Sequence, residues 1–219
     1  MNLQGATVNF LGDSITAGSG ASCPENRFVS VLAREFGLKR ANNYGIGGSR
    51  IARQTVVTDS PMDRDYCMRM SEMDTSADAV VVFGGTNDYG HGDAPLGVPS
   101  DRDPSTFYGA CHYLMRYLAE TYAGKPVVIL TPLHRCNEDD PHGKGGCKPR
   151  SIAPLSTYRR ILMEVAEQYA LPVLDLYATS GIQPNLPENR ERLAPDGVHP
   201  NDAGHALLAR RIGLFLQTL

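Results

Sequence analysis

The fold of this chain follows from the stretch Asn9-Phe10-Leu11-Gly12-Asp13-Ser14-Ile15. It continues a short apolar run that includes Val8, and such a run is typical of a buried strand. The strand then breaks into Gly-Asp-Ser and a turn rich in glycine and serine. In α/β folds, ligands bind beside the carboxyl ends of parallel strands. Ser14 is therefore a candidate nucleophile, although Gly-Asp-Ser by itself also describes an ordinary turn.

Short apolar strands alternate with amphipathic helices along the rest of the chain. The strongest strand is 79–83, because an unbroken run of β-branched residues is typical of a strand covered on both faces. Other strands are predicted at about 41–46, 126–130 and 173–176. Single-helix crossovers make neighbouring strands parallel. We therefore predict one α/β domain over residues 1–219, built as a three-layer α/β/α sandwich around a five-stranded parallel sheet.

Two long loops and one weak helix complete this outline. The loops, at about 88–106 and 131–154, both follow strands and should overhang the same cleft as Ser14; loops of this length are often functional. The weak helix is predicted over about 61–73, where Tyr66 and three methionines at helical spacing would fill the core. Those methionines are Met62, Met70 and Met73.

The composition excludes several classes of protein. The chain has 219 residues, of which 42% are hydrophobic, and a net charge of −3. No basic tail or stripe points to nucleic acid as a partner, and no apolar run is long enough to span a bilayer. With no leader-like segment in the sequence, we expect a cytoplasmic protein. The five cysteines do not form a disulfide framework, which leaves open a single pair between Cys136 and Cys147.

Three later stretches accompany the one around Ser14. They are Asn43-Tyr44-Gly45-Ile46-Gly47-Gly48-Ser49, Gly84-Gly85-Thr86-Asn87-Asp88 and Asp196-Gly197-Val198-His199. In order and content, the four resemble the sequence blocks of the SGNH hydrolases, the GDSL family of lipases, esterases and acylhydrolases. The resemblance runs from Ser14 to the helix after His199. It implies a flavodoxin-like sheet with the strand order 2-1-3-4-5.

The resemblance also implies a catalytic triad. Acyl transfer needs a nucleophile, a base that takes its proton and a group that orients the base. Ser14 is the expected nucleophile and His199 the expected base. Asp196 lies three residues before His199, so one tight turn can bring its carboxylate to the other ring nitrogen and fix the tautomer. Taken alone, this pair also describes a capping aspartate beside a surface histidine.

Three donors are expected to form an oxyanion hole. They are the backbone N–H of Ser14, the backbone N–H of Gly48 and the side-chain amide of Asn87, each carried over from the matching block. The chain departs from the family pattern after Gly48, where Ser49-Arg50 replaces the acidic residue of many relatives. We expect Arg50 to be a solvated surface residue.

Five further residues border the expected cleft and are candidate substrate contacts: Asp13, Tyr89, His91, His134 and Arg135. Asp13 is expected mainly to anchor its loop by hydrogen bonds. The polar loops favour a small-molecule ester with a short or acetylated, carbohydrate-type acyl group. Lysophospholipid or thioester cleavage, and acyl transfer to an acceptor other than water, remain open, as does the oligomeric state.

Three competing interpretations have some support in the sequence. His134, Cys136, His142 and Cys147 lie in one loop, but their spacing does not match that of structural zinc sites. The turn 45–48 lacks the G-x-G-x-x-G spacing of a dinucleotide site. A non-catalytic carbohydrate-binding protein on a hydrolase fold is the alternative from another class. We expect an active esterase that needs no cofactor and no metal.

Overall fold

The structure is a computed structural model that describes residues 1–148 and 152–219. Within them, parallel strands form one sheet in the order β2-β1-β3-β4-β5. The strands, numbered along the chain, are Thr7–Gly12, Arg40–Gly45, Ala79–Phe83, Val127–Leu130 and Val173–Leu174. This confirms the predicted parallel sheet and its strand order. β1 and β3 are neighbours in the sheet although β2 lies between them in sequence, because the chain crosses from β2 back past β1 to reach β3.

The carboxyl ends of the central strands lie in register. Gly12, the last residue of β1, pairs with Gly45 of β2 and with Phe83 of β3. Phe83 in turn pairs with Leu130, the last residue of β4. Four chain segments therefore leave the sheet side by side, and they include those that continue to Ser14, Gly48 and Asn87. Residues far apart in sequence thus meet at one edge of the sheet.

Helices connect the strands and end the chain. Numbered in order, they are α1 Ser14–Ala17, α2 Phe28–Phe36, α3 Tyr66–Arg69, α4 Thr86–Gly90, α5 Phe107–Thr121, α6 Leu155–Gln168, α7 Leu176–Thr179, α8 Pro187–Leu193 and α9 Asp202–Gln217. Polar side chains set several starts, as helix caps do. Thr106 caps α5, Asp175 caps α7 and Asn201 caps α9, each by accepting a hydrogen bond from a backbone N–H of the first turn.

The core consists of two apolar layers, one on each face of the sheet. In β3, Val80 and Val82 belong to the layer shared with α5 and α6, whereas Val81 and Phe83 belong to the layer shared with α2 and α9. All four side chains are almost completely buried. Burial of such a side chain contributes about 1.5–3 kcal/mol. The alternation explains why β3 is apolar at every position.

The helix predicted over 61–73 is wrong in extent. The structure has a 3-10 turn at Pro61–Asp63, the short helix α3 and a second 3-10 turn at Met70–Glu72. A separate helix, α3, begins after Asp65 because the Asp65 carboxylate caps it, accepting from the Met68 amide at 2.8 Å. Met62 is consequently 41% exposed rather than part of the core. Met70 and Met73 are buried, as expected.

The loop after β4 folds back onto α4. The Cys147 thiol donates to the Gly90 carbonyl at 3.0 Å, and the Lys148 ammonium donates to the Asp88 carbonyl at 2.6 Å. The Cys136–Cys147 pair that the sequence left open is not formed, and both residues are free thiols. In the described part of the chain, no helix has the length and apolar character needed to cross a membrane.

Candidate active site

Ser14 is the first residue of α1, and Asp13 alone separates it from the end of β1. The turn is sharp: a Cβ at Gly12 would lie 1.9 Å from the Thr16 hydroxyl oxygen. Asp13 caps α1, and its carboxylate accepts from the Ile15 amide at 2.9 Å. The first amides of a helix have no partner within the helix. The Ser14 N–H is therefore available to a ligand beside its own hydroxyl group.

A continuous chain of hydrogen bonds joins Ser14 to a histidine and a carboxylate. The Ser14 Oγ lies 3.0 Å from the His199 Nε2. The His199 Nδ1 lies 2.6 Å from an Asp196 carboxylate oxygen. An ionised carboxylate can only accept, so Nδ1 carries the ring proton and Nε2 presents its lone pair to the serine hydroxyl. This arrangement suits removal of the hydroxyl proton.

The turn that carries Asp196 and His199 is held by its own backbone. One Asp196 oxygen accepts from the Val198 and His199 amides, at 2.9 and 2.7 Å. Burial alone would raise the pKa of Asp196, but these amides and the His199 ring together lower it below its usual value. Gly197 has a φ of +81°, and a Cβ there would lie 2.6 Å from the Cys136 sulfur. The turn therefore requires glycine at this position.

The expected oxyanion donors lie on segments that are tied to one another. The Ile46 amide donates to the Gly12 carbonyl at 3.1 Å, which brings the glycine turn beside the strand end before Ser14. A Cβ at Gly47 would lie 3.9 Å from the Ser14 Cβ. The Asn87 amide donates to the Ser49 carbonyl at 3.1 Å. An amide nitrogen has two N–H groups, so Asn87 keeps a second donor for a ligand.

Asp88 ties the Asn87 segment to the chain after Ser49. Its carboxylate accepts from the Ile51 amide at 3.0 Å and from the Ala52 amide at 2.9 Å. Burial raises the pKa of Asp88 to about 6, although both amides act in the opposite direction. The residue is 4% exposed. It holds the backbone in place rather than facing a ligand.

Asp13 is a second buried carboxyl group beside the nucleophile. Its side chain is 1% exposed. Burial raises its pKa to about 7; the Ile15 amide lowers it, and the nearby Asp88 raises it further. The residue anchors the loop, as its place before α1 suggested. It is not placed to contact a substrate.

Two other candidate substrate contacts, Tyr89 and Arg135, are buried rather than in the cleft. Tyr89 is 0% exposed, and its hydroxyl donates to the Asn137 carbonyl. Arg135 is 3% exposed and donates to the carbonyl and hydroxyl oxygens of Thr86, at 3.0 and 2.9 Å. Its guanidinium carbon lies 5.5 Å from the centre of the Tyr89 ring. The loop folds back onto α4, so the two side chains pack on each other, and the expectation that they contact substrate is wrong.

His91 and His134 remain accessible. His91 follows α4 and is exposed. Loss of water around part of the ring, together with the charges of Arg50 and Arg135, lowers the pKa of His91 to about 4, so the ring is neutral at pH 7. The His134 side chain is 21% exposed, and its Nδ1 lies 2.6 Å from a Glu138 carboxylate oxygen. Both histidines stay candidate substrate contacts.

Arg50 is not the solvated surface residue that the sequence suggested. It is 4% exposed, forms an ion pair with Asp63 and donates to the Gly48 carbonyl at 3.2 Å. Asp63 also accepts from the Thr58 amide at 2.8 Å, so the pair fastens the segment 58–63 to the glycine turn. Nothing in the local sequence pattern marked this contact, because it joins residues whose spacing fits neither a helix nor a strand.

The suspected zinc ligands do not form a cluster. Across residues 1–148 and 152–219, no three His, Cys, Asp or Glu side chains converge as metal ligands. His134 pairs with Glu138, and His142 lies 3.2 Å from a carboxylate oxygen of Asp140. The Cys136 thiol lies 3.6 Å from the Pro184 carbonyl oxygen. Each of these side chains therefore has its own separate surroundings.

Solved structures show the same fold. A protein from Lactobacillus plantarum is 30% identical, with 98% of each chain covered and a TM-score of 0.83. The lipase/acylhydrolase from Enterococcus faecalis is 22% identical, with 97% of this chain and 96% of that chain covered and a TM-score of 0.64. A carbohydrate acetylesterase family member from Sinorhizobium meliloti is 18% identical, with 97% and 98% covered and a TM-score of 0.66. The last two likenesses concern the fold alone.

Sequence comparison assigns the family. No curated protein matches the sequence. A family model described as GDSL-like Lipase/Acylhydrolase matches residues 10–207, a span that begins in β1 and ends in α9. The resemblance drawn from the four sequence stretches is thereby confirmed. The chain belongs to the GDSL-like lipase/acylhydrolase family.

Proposed function

We propose that the protein is a serine esterase that hydrolyses carboxylic esters through an acyl-enzyme. The observation that carries the proposal is the chain of two hydrogen bonds from Ser14 through His199 to Asp196, at 3.0 and 2.6 Å. A serine hydroxyl is a weak nucleophile unless a base lies within hydrogen-bond reach. Here the base is in reach, and a carboxylate orients it.

The reaction follows from these positions. The Ser14 Oγ attacks the ester carbonyl carbon while His199 Nε2 takes the hydroxyl proton, and Asp196 stabilises the resulting imidazolium. Collapse of the tetrahedral intermediate breaks the ester C–O bond, and His199 returns the proton to the departing alcohol. Water then attacks the acyl-enzyme in the same way, which releases the acid and restores Ser14.

The developing oxyanion needs fixed donors. The proposed donors are the amides of Ser14 and Gly48 and the free N–H of Asn87. Loss of one such donor typically costs about 10²–10³ in rate. The bond between Asn87 and the Ser49 carbonyl holds that side chain in place before substrate arrives. A preorganised donor costs no reorganisation during the reaction.

For the substrate, we propose a short-chain or acetylated, carbohydrate-type ester. The accessible polar side chains of His91 and His134 support a polar alcohol portion. The carbohydrate acetylesterase family member from Sinorhizobium meliloti shares the fold at 18% identity, so acetylated sugars belong among the esters to be tested. Lysophospholipids, thioesters and acyl acceptors other than water use the same triad and are the alternatives. A non-catalytic binding protein would have no need for a hydrogen-bonded triad.

Hydrolysis of p-nitrophenyl esters from acetate to dodecanoate, and of acetylated sugars, tests the proposal. Wild type is expected to be fastest on acetate or butyrate, and Ser14→Ala is expected to be inactive on every ester. The matched control is Ser76→Ala, because Ser76 is an exposed serine in the connection that leads to β3. A preference for long chains would favour the lipase alternative. A wild type inert towards all these esters would contradict the proposal.

A further inference from the structure

One buried side chain joins the segments that carry the proposed active site. Arg69, the last residue of α3, is 3% exposed. Its guanidinium donates to the Gly12 carbonyl at 3.2 Å, to the Ser49 hydroxyl at 2.9 Å and to the Tyr44 carbonyl at 2.6 Å. Its Nε donates to the Arg64 carbonyl at 2.9 Å. All three guanidinium nitrogens are therefore engaged.

The positions of these acceptors give the contacts their meaning. Gly12 lies two residues before Ser14, and Ser49 directly follows Gly48. The guanidinium thus donates to both segments that carry a proposed oxyanion donor, the one before the Ser14 amide and the one after the Gly48 amide. A planar fork with fixed donor directions sets such a spacing better than a flexible ammonium group. Another acceptor, the Tyr44 carbonyl, lies in β2, so this hydrogen bond fixes the guanidinium relative to the sheet.

Among the residues that the structure describes, the charge of Arg69 has no direct counter-ion. Within the described residues, no carboxylate oxygen forms a salt bridge with its guanidinium at 4.0 Å or less. A buried charge costs free energy unless hydrogen bonds compensate it. An uncharged side chain could fill the same space without that cost. The arrangement therefore favours a role for the several donors of the guanidinium.

Tyr66, also in α3, contacts the end of β3. Its hydroxyl donates to the Phe83 carbonyl at 2.8 Å, at the end of β3 and shortly before Asn87. Its ring lies 5.2 Å from the Arg69 guanidinium carbon. A Cβ at Gly84 would lie 2.7 Å from the Tyr66 ring, so the backbone passes very close to it. One short helix thus contacts the ends of β1, β2 and β3.

We propose that α3 positions the oxyanion hole, with Arg69 as the positioning residue that sets the Gly48 amide relative to the Ser14 amide. The inference rests on the proposed esterase function. Arg69 does not touch the substrate; it acts through the Gly12 carbonyl and the Ser49 side chain. Because the oxyanion forms only once the ester carbonyl is attacked and is absent from the bound substrate, a shift in donor spacing changes kcat far more than KM.

The test is a double-mutant cycle of Arg69→Lys and Ser49→Ala, with kcat, KM and thermal midpoint measured for each protein on p-nitrophenyl acetate. Arg69→Lys keeps the charge but loses the fork. It is expected to lower kcat about 10- to 100-fold, somewhat less than the loss of an oxyanion donor, while KM stays within about twofold because ground-state binding is untouched. The matched control is Arg116→Lys on an exposed ion pair of α5, which is expected to match wild type.

Ser49→Ala keeps the proposal testable if Arg69→Lys does not fold. It removes one acceptor of the fork and is expected to lower kcat several-fold with KM unchanged. In the double variant, kcat is expected to fall no further than in Arg69→Lys alone, because neighbours acting through one contact are not additive.

Three results would overturn the positioning role. They are a wild-type kcat in Arg69→Lys (or in Ser49→Ala, if Arg69→Lys does not fold), a fall in thermal midpoint with no change in kcat, or a double variant in which the two losses multiply. A wild type that hydrolyses esters while Arg69→Lys does so equally well rejects the positioning role alone. A wild type that is inert rejects the esterase proposal, and the positioning role with it.

Discussion

The two halves of the proposed active site are built differently. The base half is local and open: Asp196 and His199 lie in one four-residue turn, with side chains that are 56% and 29% exposed. The oxyanion half is dispersed and closed: Ser14 and Asn87 are each 8% exposed, and Asp88, Asp13 and Arg69 beneath them are at most 4% exposed.

This difference decides what holds each half in place. The turn from Asp196 to His199 uses its own amides and one glycine with positive φ. The oxyanion half has no such local frame and depends on buried polar side chains that reach across strands. Water can replace part of what the open half supplies, whereas a lost contact in the closed half leaves an unpaired buried group, which is costly. Substitutions in the two halves should therefore differ in size and in kind.

The largest effect is expected from His199→Ala. It removes the base itself, which no solvent molecule replaces, and loss of such a triad member costs about 10⁴–10⁶ in kcat. The measurement is steady-state hydrolysis of p-nitrophenyl acetate. The control is His142→Ala, because His142 is an exposed histidine whose ring lies beside the Asp140 carboxylate. Activity within tenfold of wild type would show that His199 is not the base.

Asn87→Ala tests the closed half. It removes one oxyanion donor and frees the Ser49 carbonyl that Asn87 now binds. The expected loss is about 10²–10³ in kcat with little change in KM. Asn87→Asp is expected to be worse, because a negative charge would repel the oxyanion. The exposed Asn2 supplies the control, as Asn2→Ala. A loss confined to KM would assign Asn87 to substrate binding instead.

Asp196→Asn gives the sharpest comparison between the halves. In a buried triad this change costs about 10⁴ in kcat. The Asp196 side chain is 56% exposed, so water partly stabilises the imidazolium. We therefore expect kcat to fall only about 10- to 100-fold, less than in a buried triad. The exposed Asp59, changed to Asn, is the control. A loss larger than that of Asn87→Ala would reverse the stated difference between the open and closed halves.

The last effect is expected on stability rather than on kcat, from Asp13→Asn. Burial raises the pKa of Asp13 to about 7 from an ordinary value of 3.8. The folded state therefore binds this proton more tightly than the unfolded state, and the resulting stability is lost as pH rises from about 4 through 7. The full difference is on the order of a few kcal/mol. Asparagine never ionises, and its oxygen can still accept from the Ile15 amide.

Thermal midpoints at several pH values measure this effect. The midpoint of Asp13→Asn minus that of wild type is expected to grow from about pH 4 to pH 8, since only the wild type must ionise a buried group. Asp59→Asn, at the surface, provides the matched control. A difference for Asp13→Asn that stays constant with pH would mean that Asp13 is not protonated near neutrality.

The open half and the sheet were readable from the sequence for the same reason. The unbroken apolar run that defines β3 and the Asp196–His199 spacing are local patterns, and local patterns survive in a single sequence. The family resemblance was needed to interpret the Asp196–His199 pair as part of a triad. The strand order followed from the family resemblance, which the structure bears out. Ser14 and Asn87 lie shortly after strands that the pattern marks, and their expected roles came from the resemblance of their sequence blocks to those of the family.

The closed half was not readable, because its contacts join distant segments. Arg50 looks like any surface arginine until Asp63 and the Gly48 carbonyl meet it in the fold. Tyr89 and Arg135 looked like cleft residues because they begin polar loops, yet the loop after β4 returns to α4 and buries both. No periodicity encodes such a return, so only the folded chain shows it.

The central claim is that Ser14 is an activated nucleophile that forms an acyl-enzyme. Its most direct test is intact-mass spectrometry of the protein after reaction with a fluorophosphonate, followed by mapping of the modified peptide. The expected result is a single adduct on Ser14 in wild type and none in Ser14→Ala, with labelling slowed in His199→Ala because the hydroxyl loses its base. An unlabelled wild type, or an adduct on another residue that persists in Ser14→Ala, would contradict the claim.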